Sequence, residues 1–136
     1  MKRKWKLILF ILCLVIICGV LAYGILSYHD YYLLRNSACY CSESGVGLGG
    51  GTTPELSAYM RLEANPFARR IFIELERNGT SAAKAYAIVA LKKLDPVYTE
   101  ELAQKYKMSQ ETTTFISGCI ASNVKLSELF DNNNCK

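Results

Sequence analysis

The chain has 136 residues, about half of them hydrophobic, and a formal charge of +4. Lys2, Arg3, Lys4 and Lys6 lie ahead of a long uncharged run, and the other twelve basic residues are matched by twelve acids. The net basicity is therefore a topology signal. It excludes a nucleic-acid-binding footprint on the rest of the chain, and no nucleic-acid partner is expected.

Leu7 to Tyr28 carries no charge across twenty-two residues. As a helix it would measure about 33 Å, enough for a bilayer core of roughly 30 Å. The basic cluster before it predicts a cytoplasmic stub over 1–6, a transmembrane helix or signal anchor over 7–28, and export of residues 29–136. The expected location is single-pass in a cell inner membrane with the N-terminus cytoplasmic, so membrane lipid is an expected partner of this helix. Trp5 at one end and Tyr23, Tyr28, Tyr31 and Tyr32 at the other suit interfacial belts, and ordinary packing in the exported part would explain the tyrosines as well. The competing reading is a cleaved signal peptide, with Val20-Leu21-Ala22 before the cut and a secreted or periplasmic product. The apolar run continues through Ile25 and Leu26, past that point, which favours retention. Leu12 and Ile17 precede Cys13 and Cys18 where a lipoprotein cysteine needs a small residue. Gly19 and Gly24 are five apart, so the GxxxG spacing is absent.

Six cysteines are present. Cys13 and Cys18 fall in the apolar run, as small hydrophobes. Cys39, Cys41, Cys119 and Cys135 fall in the exported part, where an even number favours disulfides. A Cys39–Cys41 bridge would close a very small ring with poor geometry. Two pairings remain: Cys39–Cys119 with Cys41–Cys135, or the crossed alternative. Each closes a long loop and would contribute about 3–4 kcal/mol in the chain-entropy model. A metal site is the sharper alternative, but Cys39-x-Cys41 lacks the two-to-four-residue spacing of zinc pairs.

Residues 29–53 read as a flexible juxtamembrane linker, because Ser42 to Thr53 holds five glycines and no aromatic residue. The stretch lacks the Gly-Lys-Ser/Thr ending of a phosphate loop. Beyond it the pattern is helical. Thr53 caps a helix starting at Pro54. Asn65-Pro66 repeats that grammar ahead of PFARRIFIELER, which Asn78-Gly79 ends, glycine suiting the left-handed position after a helix. Thr80 or Ser81 opens an alanine-rich third helix, and Asp95-Pro96 starts a fourth. Ser109 is expected to cap a fifth, QETTTFISGCIAS, weakened by Gly118. A short last helix is expected over about Val124 to Phe130. No segment alternates with period two for long, so the expected fold is all-α: an N-terminal transmembrane helix, a Gly-rich linker and a small bundle of helical hairpins over 54–136.

Ala83, Ala87, Ala90-Leu91 and Leu94-Asp95-Pro96, followed by Leu102, resemble a HEAT-type helical repeat over residues 81–107. That resemblance implies a protein-binding scaffold and transfers no catalytic residue.

His29 is the only histidine and lies at the membrane boundary, and no nucleophile-elbow motif occurs. Glu74 with Glu76, and Glu100 with Glu101, are too close in sequence to share a helix face. Glu101 and Lys105 are expected to pair, and Arg69-Arg70 and Lys92-Lys93 to be solvated beside acids. Thr112-Thr113-Thr114 is unusual for a helix interior and marks a bend or a contact surface. Asn78-Gly79-Thr80 matches a glycosylation sequon that matters only in a eukaryotic secretory pathway. The resulting expectation is a non-enzymatic, membrane-tethered module that binds another protein at the periplasm or cell exterior, such as an immunity, inhibitor or envelope accessory protein. It needs no catalytic, cofactor or metal residues. The alternative is a thiol redox or metal-handling protein using Cys39, Cys41, Cys119 and Cys135.

Overall fold

The structure is a computed structural model that describes residues 2–46 and 51–131. Helix α1 (Lys2–Arg35) has 34 residues, about 51 Å at the usual rise. From Ile8 to Leu26 its side chains are exposed. Among the described residues it is the helix long and apolar enough to cross a membrane, and it fits a single-pass anchor or a signal sequence.

The helix does not stop where the apolar run stops. It continues for seven residues past Tyr28, and from Ser27 one face turns inward. Ser27 is half-buried, and Asp30, Leu34 and Ser37 are buried. The spacing of 27, 30 and 34 is that of one helix face. The expected linker is therefore corrected over most of its described length: 29–35 is helix and Cys39–Val46 is strand β1. Residues 47–50, in the glycine-rich part, lie outside the described residues.

The helical layer comprises α2 (Pro54–Glu63), α3 (Ala68–Asn78), α4 (Ser81–Leu94) and α5 (Pro96–Tyr106). Three of the four starts follow the sequence. The expected Asn65-Pro66 start does not, because α3 begins at Ala68 with Phe67 as its N-cap and no side-chain cap bond, Asn65 Oδ1 accepting from the Phe67 amide in the turn before it. The Leu56 amide donates to Thr53 Oγ1, the Ala83 amide to Thr80 Oγ1 and the Tyr98 amide to Asp95 Oδ1, with Pro54 and Pro96 in first turns. α4 is buried on nearly every side. Five alanines, at 82, 83, 85, 87 and 90, sit among buried Tyr86, Ile88 and Leu91, and small side chains let neighbouring backbones approach. Gly79 serves the same closeness. Its φ is −90°, so it is not left-handed as expected. A Cβ there would lie 2.5 Å from Ala83 Cβ and 2.6 Å from the Leu75 carbonyl oxygen. Glycine is required by the tight α3–α4 turn.

A three-stranded sheet corrects the all-α expectation. β1 runs parallel to β2 (Thr112–Gly118), with Cys39 opposite Thr114 and Cys41 opposite Ile116. β2 runs antiparallel to β3 (Ile120–Lys125), and the order is β1-β2-β3. The segment expected as a fifth helix is thus the β2–β3 hairpin. Three threonines, Phe115 and Ile116 favour an extended backbone. Gly118, at φ +56°, makes the turn. Of the expected last helix, over about Val124 to Phe130, only 128–130 is helical, within α6 (Glu128–Asp131), while Val124 and Lys125 belong to β3. Tyr40 stacks on Phe115 at 5.4 Å and meets Tyr86 edge-on at 4.8 Å, and Tyr86 lies 5.4 Å from Tyr59. This run of rings joins the sheet to α4 and α2. Burying each such side chain contributes roughly 1.5–3 kcal/mol.

Candidate functional site

The junction between α1 and the domain is the most specifically built polar site. Asp30 is one residue pair past the apolar run, and its carboxylate is almost fully buried. Arg61 on α2 donates to both of its oxygens, Nε to Oδ2 at 2.8 Å and Nη2 to Oδ1 at 2.7 Å. This two-point fork fixes orientation as well as distance. One turn nearer the apolar run, Asn65 Nδ2 donates to Ser27 Oγ at 3.1 Å, while Asn65 Oδ1 accepts from the Phe67 amide. At the far end, the Thr80 amide donates to the Arg35 carbonyl and Thr80 Oγ1 donates to the Ser37 carbonyl at 2.7 Å. Leu34, fully buried, fills the core between these polar ties. Together they make α1 and the domain one continuous body. The pairing of Asp30 with Arg61 is not legible from local sequence, but the 27-30-34 spacing beside an isolated acid is its signal.

The cysteines divide into a pair and an outlier. Cys39 and Cys41 sit two apart on β1 with their Sγ atoms 4.0 Å apart, as same-face neighbours on a strand. Cys41 is buried and its amide donates to Tyr86 Oη at 3.0 Å. Burial, then the Cys41 thiol and the Glu55 charge, push the Cys39 thiol up to about 11. Burial also raises the Tyr86 phenol. Cys119 is exposed in the β2–β3 turn, on the side of β2 away from β1. It lies three residues beyond Ile116, the partner of Cys41. That offset puts it on the order of 10 Å away, beyond the roughly 7 Å Cα reach of a disulfide. Cys39, Cys41 and Cys119 are free, and the expected bridges from Cys119 to either β1 cysteine are not formed. Cys135, the remaining expected partner, lies outside the described residues. Cys13 and Cys18 are exposed along α1.

The charged residues singled out above are dispersed. Glu76 is 1 % exposed and accepts from Tyr106 Oη at 2.9 Å and Lys105 Nζ at 2.7 Å. Lys105 thus reaches across to α3, where a pair with Glu101 was expected. Burial, then the bond to Glu76, raise the Tyr106 phenol. Arg69 pairs with Asp95 at 2.6 Å and Lys93 with Glu63 at 3.0 Å. Lys92 Nζ donates to the Leu129 carbonyl. Burial works against the Glu111 carboxylate, yet bonds from Lys84 Nζ and Ser81 Oγ outweigh it and hold its pKa below the usual range. His29 is exposed, with Nδ1 3.8 Å from Asp30. Among the described residues no group of three metal-ligating side chains occurs. Lys92, Pro96, Thr99, Glu100, Ala103 and Phe130 line an open cleft of about 300 Å³ between α5 and α6.

Comparison with protein-family models, with curated proteins and with solved structures finds no match for this chain.

Proposed function

We propose that the chain is a membrane-anchored, non-enzymatic protein-binding module on the periplasmic or outer side of a cell inner membrane, in the manner of an immunity, inhibitor or envelope accessory protein. The observation that carries this reading is the unbroken α1, whose last turns are clamped to the domain through Asp30–Arg61 and Leu34. A domain held in one orientation presents a constant face to a partner at the same membrane, and its ordering entropy is already settled before binding. The face offered is the α5–α6 cleft, where apolar Pro96, Ala103 and Phe130 lie beside Lys92 and Glu100. Partner and lipid are the only ligands the reading requires.

The test is a photo-crosslinking amino acid placed at Ala103 in the full chain in its own cells, with Arg77 on α3 as the comparison position. A discrete protein adduct from position 103 and none from 77 is the expected result. No adduct from 103 under any growth condition would count against the reading.

The thiol alternative draws on the 4.0 Å Cys39–Cys41 sulfur spacing. Two thiolates on one soft ion, each at about 2.3 Å with a wide angle, would stand about that far apart. Against it, burial keeps Cys39 protonated. Thiol and metal titration of protein isolated without reductant separates the two readings: no metal and slow Cys39 and Cys41 would remove the alternative.

A further inference from the structure

Helix lengths and polar ties place two turns of the domain at one level. α2 runs antiparallel to the end of α1: Arg61 meets Asp30, and four residues later Asn65 meets Ser27. The α2–α3 turn therefore points back toward the apolar run. α4 starts beside Arg35, where the Thr80 amide is bonded, and returns in the same direction. Its 14 residues cover about 21 Å, whereas α1 between Tyr28 and Arg35 covers only about 10 Å. The α4–α5 turn must accordingly reach the level of the apolar run as well. The Arg69–Asp95 ion pair, 2.6 Å, ties this turn to the start of α3, and Lys93–Glu63 ties it to the end of α2.

The tips of these turns are apolar. Phe67 is 69 % exposed, Val97 74 % and Leu94 38 %, with Pro66 and Pro96 beside them. Outside α1, six large apolar side chains are exposed among the described residues, and four of them (Met60, Phe67, Leu94 and Val97) belong to this end of the domain. Exposed Arg69 and Arg70 follow Phe67 after the buried Ala68. Apolar tips level with the end of a membrane helix, backed by arginines, match the composition of an interfacial lipid contact.

We propose that the α2–α3 and α4–α5 turns form a second membrane contact, in which Phe67, Leu94 and Val97 enter the headgroup–acyl boundary of the bilayer that α1 crosses, with Arg70 at the phosphates. The occupant of this surface is the lipid surface itself, and the bond from Asn65 to Ser27 fixes its depth. The inference rests on α1 being a retained anchor. It adds that the domain lies against the membrane and does not stand away from it.

The experiment uses the full chain with Trp5→Phe, carrying Phe67→Trp, Val97→Trp or Met108→Trp, in vesicles of phosphatidylcholine and phosphatidylglycerol. Met108 is 86 % exposed, beyond the far end of α5, and serves as the reference. The expected result is that F67W and V97W emit to the blue and lose most of their emission to lipids brominated near the headgroup end of the chains. M108W should respond to aqueous iodide and ignore the bromolipids. Circular dichroism confirms that each variant keeps its helix content, and Phe67→Tyr in the same background checks that an aromatic at this position is tolerated. F67W and V97W behaving like M108W, in protein that resists alkaline extraction, would overturn the lipid contact and leave the anchor standing. Protein released by alkaline extraction would overturn the anchor and the contact with it.

Discussion

From Ile8 to Leu26 every side chain of α1 is exposed, although this is the most apolar stretch of the molecule. From Ser27 to Arg35 the same helix is more polar, yet it buries Asp30 and Leu34 and is tied to α2, to α3 and to the turn before α4. The contrast separates hydropathy from packing. The first half is apolar on all sides and suits a uniform apolar solvent, while the second has one inward stripe at helical spacing and suits a protein core. A single helix thus passes from an all-round apolar half to a half packed on the domain without breaking, and the domain inherits its orientation.

Leu34→Ala should break the contrast most severely. It leaves a cavity at the centre of the junction and should lower domain stability by about 2–5 kcal/mol. Leu14→Ala in the exposed half should stay within about 0.5 kcal/mol of the parent. Urea unfolding of both variants in the same detergent checks this, and equal losses would contradict the division.

Arg61→Ala removes the fork from the buried Asp30 carboxylate and should cost about 2–3 kcal/mol. Arg61→Lys should recover only part of that, because a lysine cannot supply two donors in one plane. Gly79→Ala strikes the turn that delivers Thr80 to Arg35. The Leu75 carbonyl would lie too close to the new methyl group, and a loss of about 1–3 kcal/mol is expected by thermal unfolding.

The smallest effect concerns pH and spares α1. Glu111 has a depressed folded-state pKa, so its bonds to Lys84 and Ser81 contribute fully above the ordinary glutamate range. The contribution is lost as pH falls through the lower, folded value. The pair is partly exposed, so the loss should stay below about 1 kcal/mol. A melting-temperature profile against pH should show this acid limb in the parent and a flatter one in Glu111→Gln.

The helical layer was legible because its boundaries are written locally. Thr53-Pro54, Thr80-Ser81 and Asp95-Pro96 each place an acceptor one residue before a helix, and each acts as a cap. The sheet was not legible for the opposite reason. β1 pairs with β2 across a separation of more than seventy residues, and no local pattern encodes that partner. The threonine run at 112–114 was the one local hint, and its unsuitability for a helix reflects its place in β2. Both glycines took roles other than those expected: Gly79, expected in the left-handed position, serves close approach, and Gly118, expected to weaken a helix, supplies the positive φ of a hairpin turn. The junction was hidden by composition, since Asp30 and the glycines beyond it suggested a break, while Leu34 and its spacing carried the helix onward.

Hydrogen exchange at the amides of 29–36, in the full chain reconstituted in a bilayer, tests the continuous junction most directly. The expected protection equals that of Ala83–Leu91 at the centre of α4. Exchange at the rate of an unstructured peptide between His29 and Asn36, with α4 still protected, would mean that the domain hangs from the apolar half of α1 by a loose strap.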